Sequence, residues 1–72
     1  MKLRFSYHAQ SQIIARFIHE SQVVDTIRRP DFTESAAGGA MLFRKKFEDD
    51  TLVVICKRRS KNEYLILTAY FL

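Results

Sequence analysis

The 72-residue chain is poor in the residues that punctuate or staple a fold: one Cys, one Pro and two Gly. A single Cys excludes an intramolecular disulfide framework and a zinc site built from cysteines. So few Gly and Pro exclude a collagen-like or low-complexity chain. The longest apolar runs, Leu52 to Cys56 and Tyr64 to Leu72, fall well short of the roughly 20 apolar residues of a membrane-spanning helix. Motifs that carry chemistry are equally sparse. No His, Asp or Glu spacing resembles a metal site, no Gly-rich loop is set to cradle a phosphate, and there is no Ser-His-Asp set, so no cofactor is expected. No stretch reads as a secretion signal; with the lone Cys, this leads to the expectation of a cytoplasmic protein.

Apolar residues make up 47% and charged residues 28%, the balance of a folded domain and not of a disordered chain. The length allows a single domain over residues 1–72 with one small core, which self-association would complement. Twelve Lys and Arg against eight Asp and Glu give a net charge of +4. Residues 1–36 hold five basic and four acidic side chains, residues 37–72 seven and four. The excess sits in Arg44-Lys45-Lys46 and in Lys57-Arg58-Arg59-Ser60-Lys61. Such a basic balance is compatible with nucleic acid.

Alternation over Lys2 to Phe5 predicts a short strand, with Ser6 as the cap of a helix that follows. In that helix Ala9, Ile13 and Phe17 recur every four residues, widened by Ile14 and Ile18, and predict one buried stripe. Gln10, Ser11, Gln12 and Arg16 form its polar side. His19 to Gln22 interrupts the pattern. A second helix then buries Val23, Val24 and Ile27, with Glu20 at its positive end, Arg28 and Arg29 at its negative end, and Pro30 as its stop. The short joint makes an αα-hairpin. Phe32 and Thr33 begin a weak strand, and Ala36 to Ala40, holding both glycines, reads as a hairpin loop. Met41–Phe47, Thr51–Arg59 and Glu63–Phe71 read as a meander turned at Asp49-Asp50 and at Ser60-Lys61-Asn62.

Register decides the faces. With Asp49-Asp50 as a two-residue turn, Phe47 lies opposite Leu52 and Phe43 opposite Cys56. With Arg58 opposite Leu65, Cys56 faces Leu67. The core side then takes Met41, Phe43, Phe47, Leu52, Val54, Cys56, Leu65, Leu67, Ala69 and Phe71, with Lys45 and Arg58 at its margin. A one-residue slip would bury Arg44 and Lys46 unpaired, at a cost of several kcal/mol per ion. The other side receives Arg44, Lys46, Lys57 and Arg59 with Tyr64 and Tyr70, among Leu42, Val53, Ile55, Ile66 and Thr68. Cations neutralise phosphates and tyrosines stack on splayed bases, so this side is the candidate RNA platform. The bland alternatives are a solvated sheet face or a dimer contact.

The architecture expected is α+β, β-α-α-β-β-β(-β), with two helices on one face of a twisted antiparallel sheet. Tyr7-His8-Ala9, Arg16-Phe17-Ile18, Val23-Val24 to Ile27, Arg29-Pro30-Asp31 and Leu67-Thr68-Ala69-Tyr70 fall in this order. Together they resemble a family of small, mostly uncharacterised prokaryotic proteins. That family has a helix opening "His-Ala", then "Arg-Gly-Ile", "Asn-Pro-Asp" and a last strand "Ile-Thr-Ala-Tyr". It is similar to the BrnT toxins and, through them, to the RelE-type ribonuclease toxins. The sequence departs from the pattern at Gln12, where the family has Arg four residues after its His. It departs again at Phe17 in place of Gly, and at His19 in place of a Ser cap.

The resemblance implies a toxin of a toxin–antitoxin pair that binds RNA, free or on the ribosome, and cleaves it as a metal-independent endoribonuclease. Such cleavage needs a base for the 2′-hydroxyl, cations for the phosphoryl charge and an acid for the leaving 5′-oxygen. His8 is the candidate base, Lys57 a charge-stabilising group and Tyr70 the acid or a stacking ring. Arg16, Arg44, Lys46, Arg59 and Tyr64 are the candidate RNA-binding residues. The implied partners are RNA, a small antitoxin protein and a second copy in a homodimer; no membrane partner is implied. The alternative is a small non-catalytic binding or dimerisation module that keeps the fold without the catalytic set. Individual residues have plainer uses too. His8 can bond near the first strand, Arg16 can pair with Glu20, His19 can cap, Cys56 packs as a small hydrophobe, and Glu48-Asp49-Asp50 is an acidic turn.

Overall fold

A computed structural model describes all 72 residues. The chain runs β1 (Lys2–Phe5), α1 (Tyr7–Ala15), α2 (Glu20–Arg28), β2 (Phe32–Ser35), a short 3₁₀ turn (Ala37–Gly39), β3 (Met41–Phe47), β4 (Asp50–Ser60) and β5 (Glu63–Phe71). The five strands form one sheet in the order β1-β5-β4-β3-β2. The expected α+β class holds, but the sheet is mixed: β1 runs parallel to β5, and every other pair is antiparallel. A parallel partner cannot be reached by a tight turn, and here the whole intervening chain separates the two edge-to-edge neighbours. No helix is long and apolar enough to cross a membrane.

Both helices pack on one side. Ala9 and Ile18 near α1, and Val23 and Ile27 of α2, meet Leu52, Val54, Cys56, Ile66 and Ala69 in a single core. The core side of β3 and β4 is the one the alternation predicts, although the turn is not. Phe47 pairs with Asp50, Lys45 with Leu52 and Phe43 with Val54. The turn residues are therefore Glu48 and Asp49, with Glu48 at φ 53°. This register is two residues from the expected one. A slip of two leaves every side chain on its own face, so the hydrophobic pattern is indifferent to it and the turn decides.

The last strand differs more. Leu52, Val53, Val54 and Ile55 pair with Phe71, Tyr70, Ala69 and Thr68, but Cys56 then pairs with Ile66. Leu67 is the extra residue of a β-bulge, and it inverts parity for the first half of β5. Tyr64 and Ile66 therefore lie on the helix side, Ile66 fully buried and Tyr64 packed against the core, while Leu65 pairs with Lys57 on the other side. The run from Tyr64 to Leu67 has no charged member to mark a face, so either parity satisfies its polarity. Ser6 holds the bulge: its Oγ donates to the Leu67 carbonyl at 2.9 Å, and its N–H donates to the Ile66 carbonyl at 3.0 Å.

The end of α1 is a second departure. The helix stops at Ala15 with Arg16 as its cap residue. The Ile18 N–H donates to the Ile13 carbonyl at 3.0 Å and the Phe17 N–H to the Ile14 carbonyl at 3.5 Å. This is the Schellman pattern, whose C′ residue takes a left-handed conformation and is usually Gly. Phe17 occupies it at φ 55° and is 85% exposed, and Ile14 is 76% exposed. Neither joins the buried stripe that periodicity predicts, because the chain reverses its twist where the four-residue repeat would continue. Ile18 takes the burial instead.

Lys45 stands on the helix side at its margin, as expected, and has a purpose there. Its Nζ donates to the Arg29 carbonyl at 2.9 Å, just past the end of α2, and lies 4.0 Å from Asp31 Oδ1. A cation at a helix C-terminus satisfies an orphan carbonyl and the negative dipole end together.

Candidate functional site

No helix packs on the opposite side of the sheet, and cross-strand pairing arranges its side chains in rows. One row runs Phe32, Arg44, Val53, Tyr70 across β2, β3, β4 and β5. The next runs Glu34, Leu42, Ile55, Thr68. Beyond it Lys57 pairs with Leu65, and Leu65 with Arg4. Lys46 pairs with Thr51 on the far side of the first row. Val53 is only 1% exposed although nothing is layered over it, so the larger side chains around it, Arg44 and Tyr70 among them, close over the centre of the face.

Arg44, Lys46, Lys57 and Tyr70 share this side, as the strand alternation predicts. Phe32 was not among the expected site residues, yet the Arg44 Cζ lies 4.1 Å from the centroid of its ring. This cation–π contact sets the guanidinium over an aromatic surface. The signal was present in the sequence as a β2 strand long enough to bring Phe32 beside Arg44, but a strand begun weakly at Phe32 and Thr33 carries no register. Lys57 Nζ lies over the 3₁₀ turn, 3.9 Å from where a β-carbon on Gly38 would stand. The structure contains two salt bridges, Arg4 with Glu63 at 2.9 Å and Lys45 with Asp31. Arg44, Lys46 and Lys57 therefore have no carboxylate partner; Lys46 is exposed, and Arg44 and Lys57 are half-buried. The Lys46 backbone N–H, separately, donates to Asp31 Oδ2 at 2.8 Å.

His8 is brought to the same side. It stands in the first turn of α1, where the Ser6 Oγ accepts the Ala9 N–H at 3.0 Å as cap. From there its Nε2 reaches Thr68 Oγ1 at 3.0 Å. Thr68 is two residues from Tyr70 on the same side, so about 7 Å of strand separates their α-carbons. On sequence alone a helix start is remote from a sheet face. The approach is available because β1 pairs only as far as Ile66, leaving the Thr68 end of β5 as an edge against which α1 begins.

Three of the expected residues do not join this group. Tyr64 lies on the helix side, inverted by the Leu67 bulge. Arg59 is the unpaired residue between the Arg58–Tyr64 and Ser60–Glu63 pairs, so a second irregularity removes it from the rows. Arg16 belongs to the helical layer, and its Nε donates to Gln12 Oε1 at 2.9 Å, not to Glu20 as its i+4 spacing suggests. Gln12 precedes it by one turn and offers an acceptor within the helix, whereas Glu20 lies beyond the left-handed break at Phe17. His19 stands at the N-cap of α2, but its ring makes no such bond in the hydrogen-bond network; Gln22 Oε1 accepts the His19 N–H at 3.0 Å. Cys56 is buried in the core, and burial pushes its thiol from 9.0 up to about 11. No group of three or more His, Cys, Asp or Glu side chains converges to hold a metal.

No curated protein and no solved structure matches the chain. A family model does, over residues 5–71, from the last residue of β1 to the last of β5. The chain therefore belongs to the family described as a domain of unknown function, DUF4258.

Proposed function

We propose that the helix-free side of the sheet is an RNA-contacting surface, and that the protein is a toxin-like member of a toxin–antitoxin pair, akin to BrnT and the RelE-type ribonucleases. The observation that carries this reading is the set of Arg44, Lys46 and Lys57, which share one side without carboxylate partners, beside Tyr70 and with Phe32 under Arg44. Cations hold successive phosphates while Tyr70 and the Phe32–Arg44 pair offer flat surfaces to unstacked bases. Acting on RNA, it works in the cytoplasm. Its antitoxin is a small protein whose acidic segment covers the same cations.

In the cleavage step His8 Nε2 exchanges the Thr68 hydroxyl for the RNA 2′-hydroxyl and takes its proton. The 2′-oxygen then bonds to phosphorus while the bond from phosphorus to the 5′-oxygen breaks. Lys57 balances the extra phosphoryl charge and Tyr70 protonates the leaving oxygen. The products are a 2′,3′-cyclic phosphate and a 5′-hydroxyl, with no water or metal consumed.

Binding of a fluorescent single-stranded RNA tests the surface. Three phosphate contacts predict a log–log salt slope near −2, about a 20-fold loss of affinity between 50 and 200 mM salt. Replacing Arg44, Lys46 and Lys57 together by Ala should remove most of that slope; equal binding by this variant refutes the surface. Cleavage is tested separately by growth arrest on expression, which Lys57→Ala or Tyr70→Phe should relieve. Harmless expression together with intact RNA in vitro leaves the second reading, a binding module without catalysis. That reading is favoured by Gln12, which stands where the related family has Arg and is engaged with Arg16.

A further inference from the structure

The strands place two carboxylates on the helix-free side of the sheet, and only one of them is engaged. Glu63 is bound to Arg4 at 2.9 Å. Glu34, on β2, lies opposite Leu42 in the row that ends at Thr68, and it takes part in no ion pair. A cation is nevertheless available to it. Arg44, opposite Phe32, is the diagonal neighbour of Glu34 across the β2–β3 pair, about 7–8 Å away between α-carbons and within reach of a long side chain. The Arg44 guanidinium lies over the Phe32 ring instead, 4.1 Å from its centroid. Glu34 is left exposed, with both carboxylate oxygens free to accept. Among cations that hold phosphates, a free carboxylate repels the RNA backbone. It favours RNA only by accepting from the donors that RNA carries, the N–H groups of its bases and its 2′-hydroxyls.

We infer that Glu34 is a base-reading residue, which selects a guanine stacked on the Phe32–Arg44 pair. This rests on the RNA-contacting surface proposed above. Glu34 and Phe32 are two residues apart on one side of β2, so about 7 Å separates their α-carbons and a base over the pair presents its edge to the carboxylate. β2 is the edge of the sheet and all four of its residues are exposed, which leaves room for an unstacked base beside it. Guanine presents two adjacent donors, N1–H and the N2 amino group, which match the two carboxylate oxygens as a bidentate pair. Adenine and cytosine set one amino group beside a ring-nitrogen acceptor, and uracil sets its N3–H between two carbonyl oxygens. Each of these brings an acceptor against an acceptor, so a carboxylate here discriminates against all three.

Fluorescence-anisotropy titrations of the full chain test this with short labelled oligoadenylates carrying one central guanosine, one central inosine, which lacks the N2 amino group, or neither. The guanosine RNA should bind about tenfold tighter than the plain oligoadenylate, and the inosine RNA about threefold weaker than the guanosine RNA. The preference should persist from about 50 to about 200 mM salt while overall affinity falls, because base contacts release no counterions. Glu34→Ala and Glu34→Lys should each bring the three RNAs within about twofold of one another, and both variants should bind the plain oligoadenylate more tightly than the wild type does. Glu34→Lys keeps a charge guarding the edge strand, so a role confined to preventing edge pairing leaves base preference unmoved in both variants. Equal binding of the three RNAs by the wild type overturns the inference and leaves the RNA surface standing. So does a guanosine preference that survives in both variants. A wild-type chain that binds none of the three overturns the surface and this inference together.

Discussion

Phe17→Gly is expected to make the protein more stable, although it removes an aromatic side chain. At φ 55° the β-carbon of an L-residue crowds its own carbonyl, at a cost of about 1–2 kcal/mol. Gly relieves this but brings a more flexible unfolded chain, which returns about 0.5–1 kcal/mol. Phe17 is 85% exposed, so its loss removes little packing. The net gain is about 0.5–1 kcal/mol, which for a domain this small raises the melting temperature by about 3–6 °C. Urea unfolding should show the midpoint rise with an unchanged slope. Phe17→Ala is the decisive control, because Ala removes the ring and keeps the β-carbon. It should lie within about 0.5 kcal/mol of the wild type. If Phe17→Gly proves no more stable than Phe17→Ala, the left-handed strain is not what Phe17 costs the fold, and the reasoning fails.

Ser6→Ala should cost about 1–2 kcal/mol in the same urea assay, because it removes both the cap on the Ala9 N–H and the donor to the bulged Leu67 carbonyl. Lys45→Met keeps the stem of the side chain against the sheet and deletes only the ammonium at the Arg29 carbonyl, so thermal unfolding should register a loss of about 0.5–1 kcal/mol. Burial raises the Cys56 thiol from 9.0 to about 11, so the folded chain keeps a proton that the unfolded chain releases. The stability this supplies is complete below pH 9 and declines as pH rises toward 11; Cys56→Ala should show a shallower alkaline decline than the wild type. The same thiol should resist aromatic disulfide reagents until the protein unfolds.

Polarity patterns carried the faces of β3 and β4 because Arg44 and Lys46 cannot be buried while Phe43 and Phe47 can. They carried nothing about the Glu48-Asp49 turn, since a two-residue slip preserves every face. Tyr64 and Ile66 were misplaced for a related reason. A strand segment that is apolar at every position accepts either parity, and what selects one is a contact 61 residues away in sequence, from Ser6 to Leu67. Periodicity likewise extends α1 through Phe17, because a repeat of apolar residues does not register a change in the sign of φ. Phe32 escaped notice for want of a register linking β2 to β3. Arg44, Lys46, Lys57 and Tyr70 were recoverable because the extra residue of the bulge, Leu67, belongs to β5 and precedes Tyr70, so the alternation along β3 and along β4 as far as Arg58 is unbroken.

The bulge at Leu67 connects these misreadings to the proposed chemistry. With β1 ending opposite Ile66, Ser6 turns the chain at once, caps α1 and takes the extra carbonyl of the bulge. That places the first turn of α1 alongside Thr68, and only there can His8 reach the helix-free side of the sheet. A strand two residues longer would continue the parallel ladder to Thr68 and start the helix too late for His8 to arrive. The same turn leaves Tyr7 exposed. One serine thus sets where α1 begins and where His8 stands, so the cost of Ser6→Ala should extend beyond stability. The variant should loosen the His8–Thr68 contact and impair the proposed RNA cleavage beyond what its loss of stability accounts for, whereas Lys45→Met should not, because Lys45 ties down the opposite end of the helical layer.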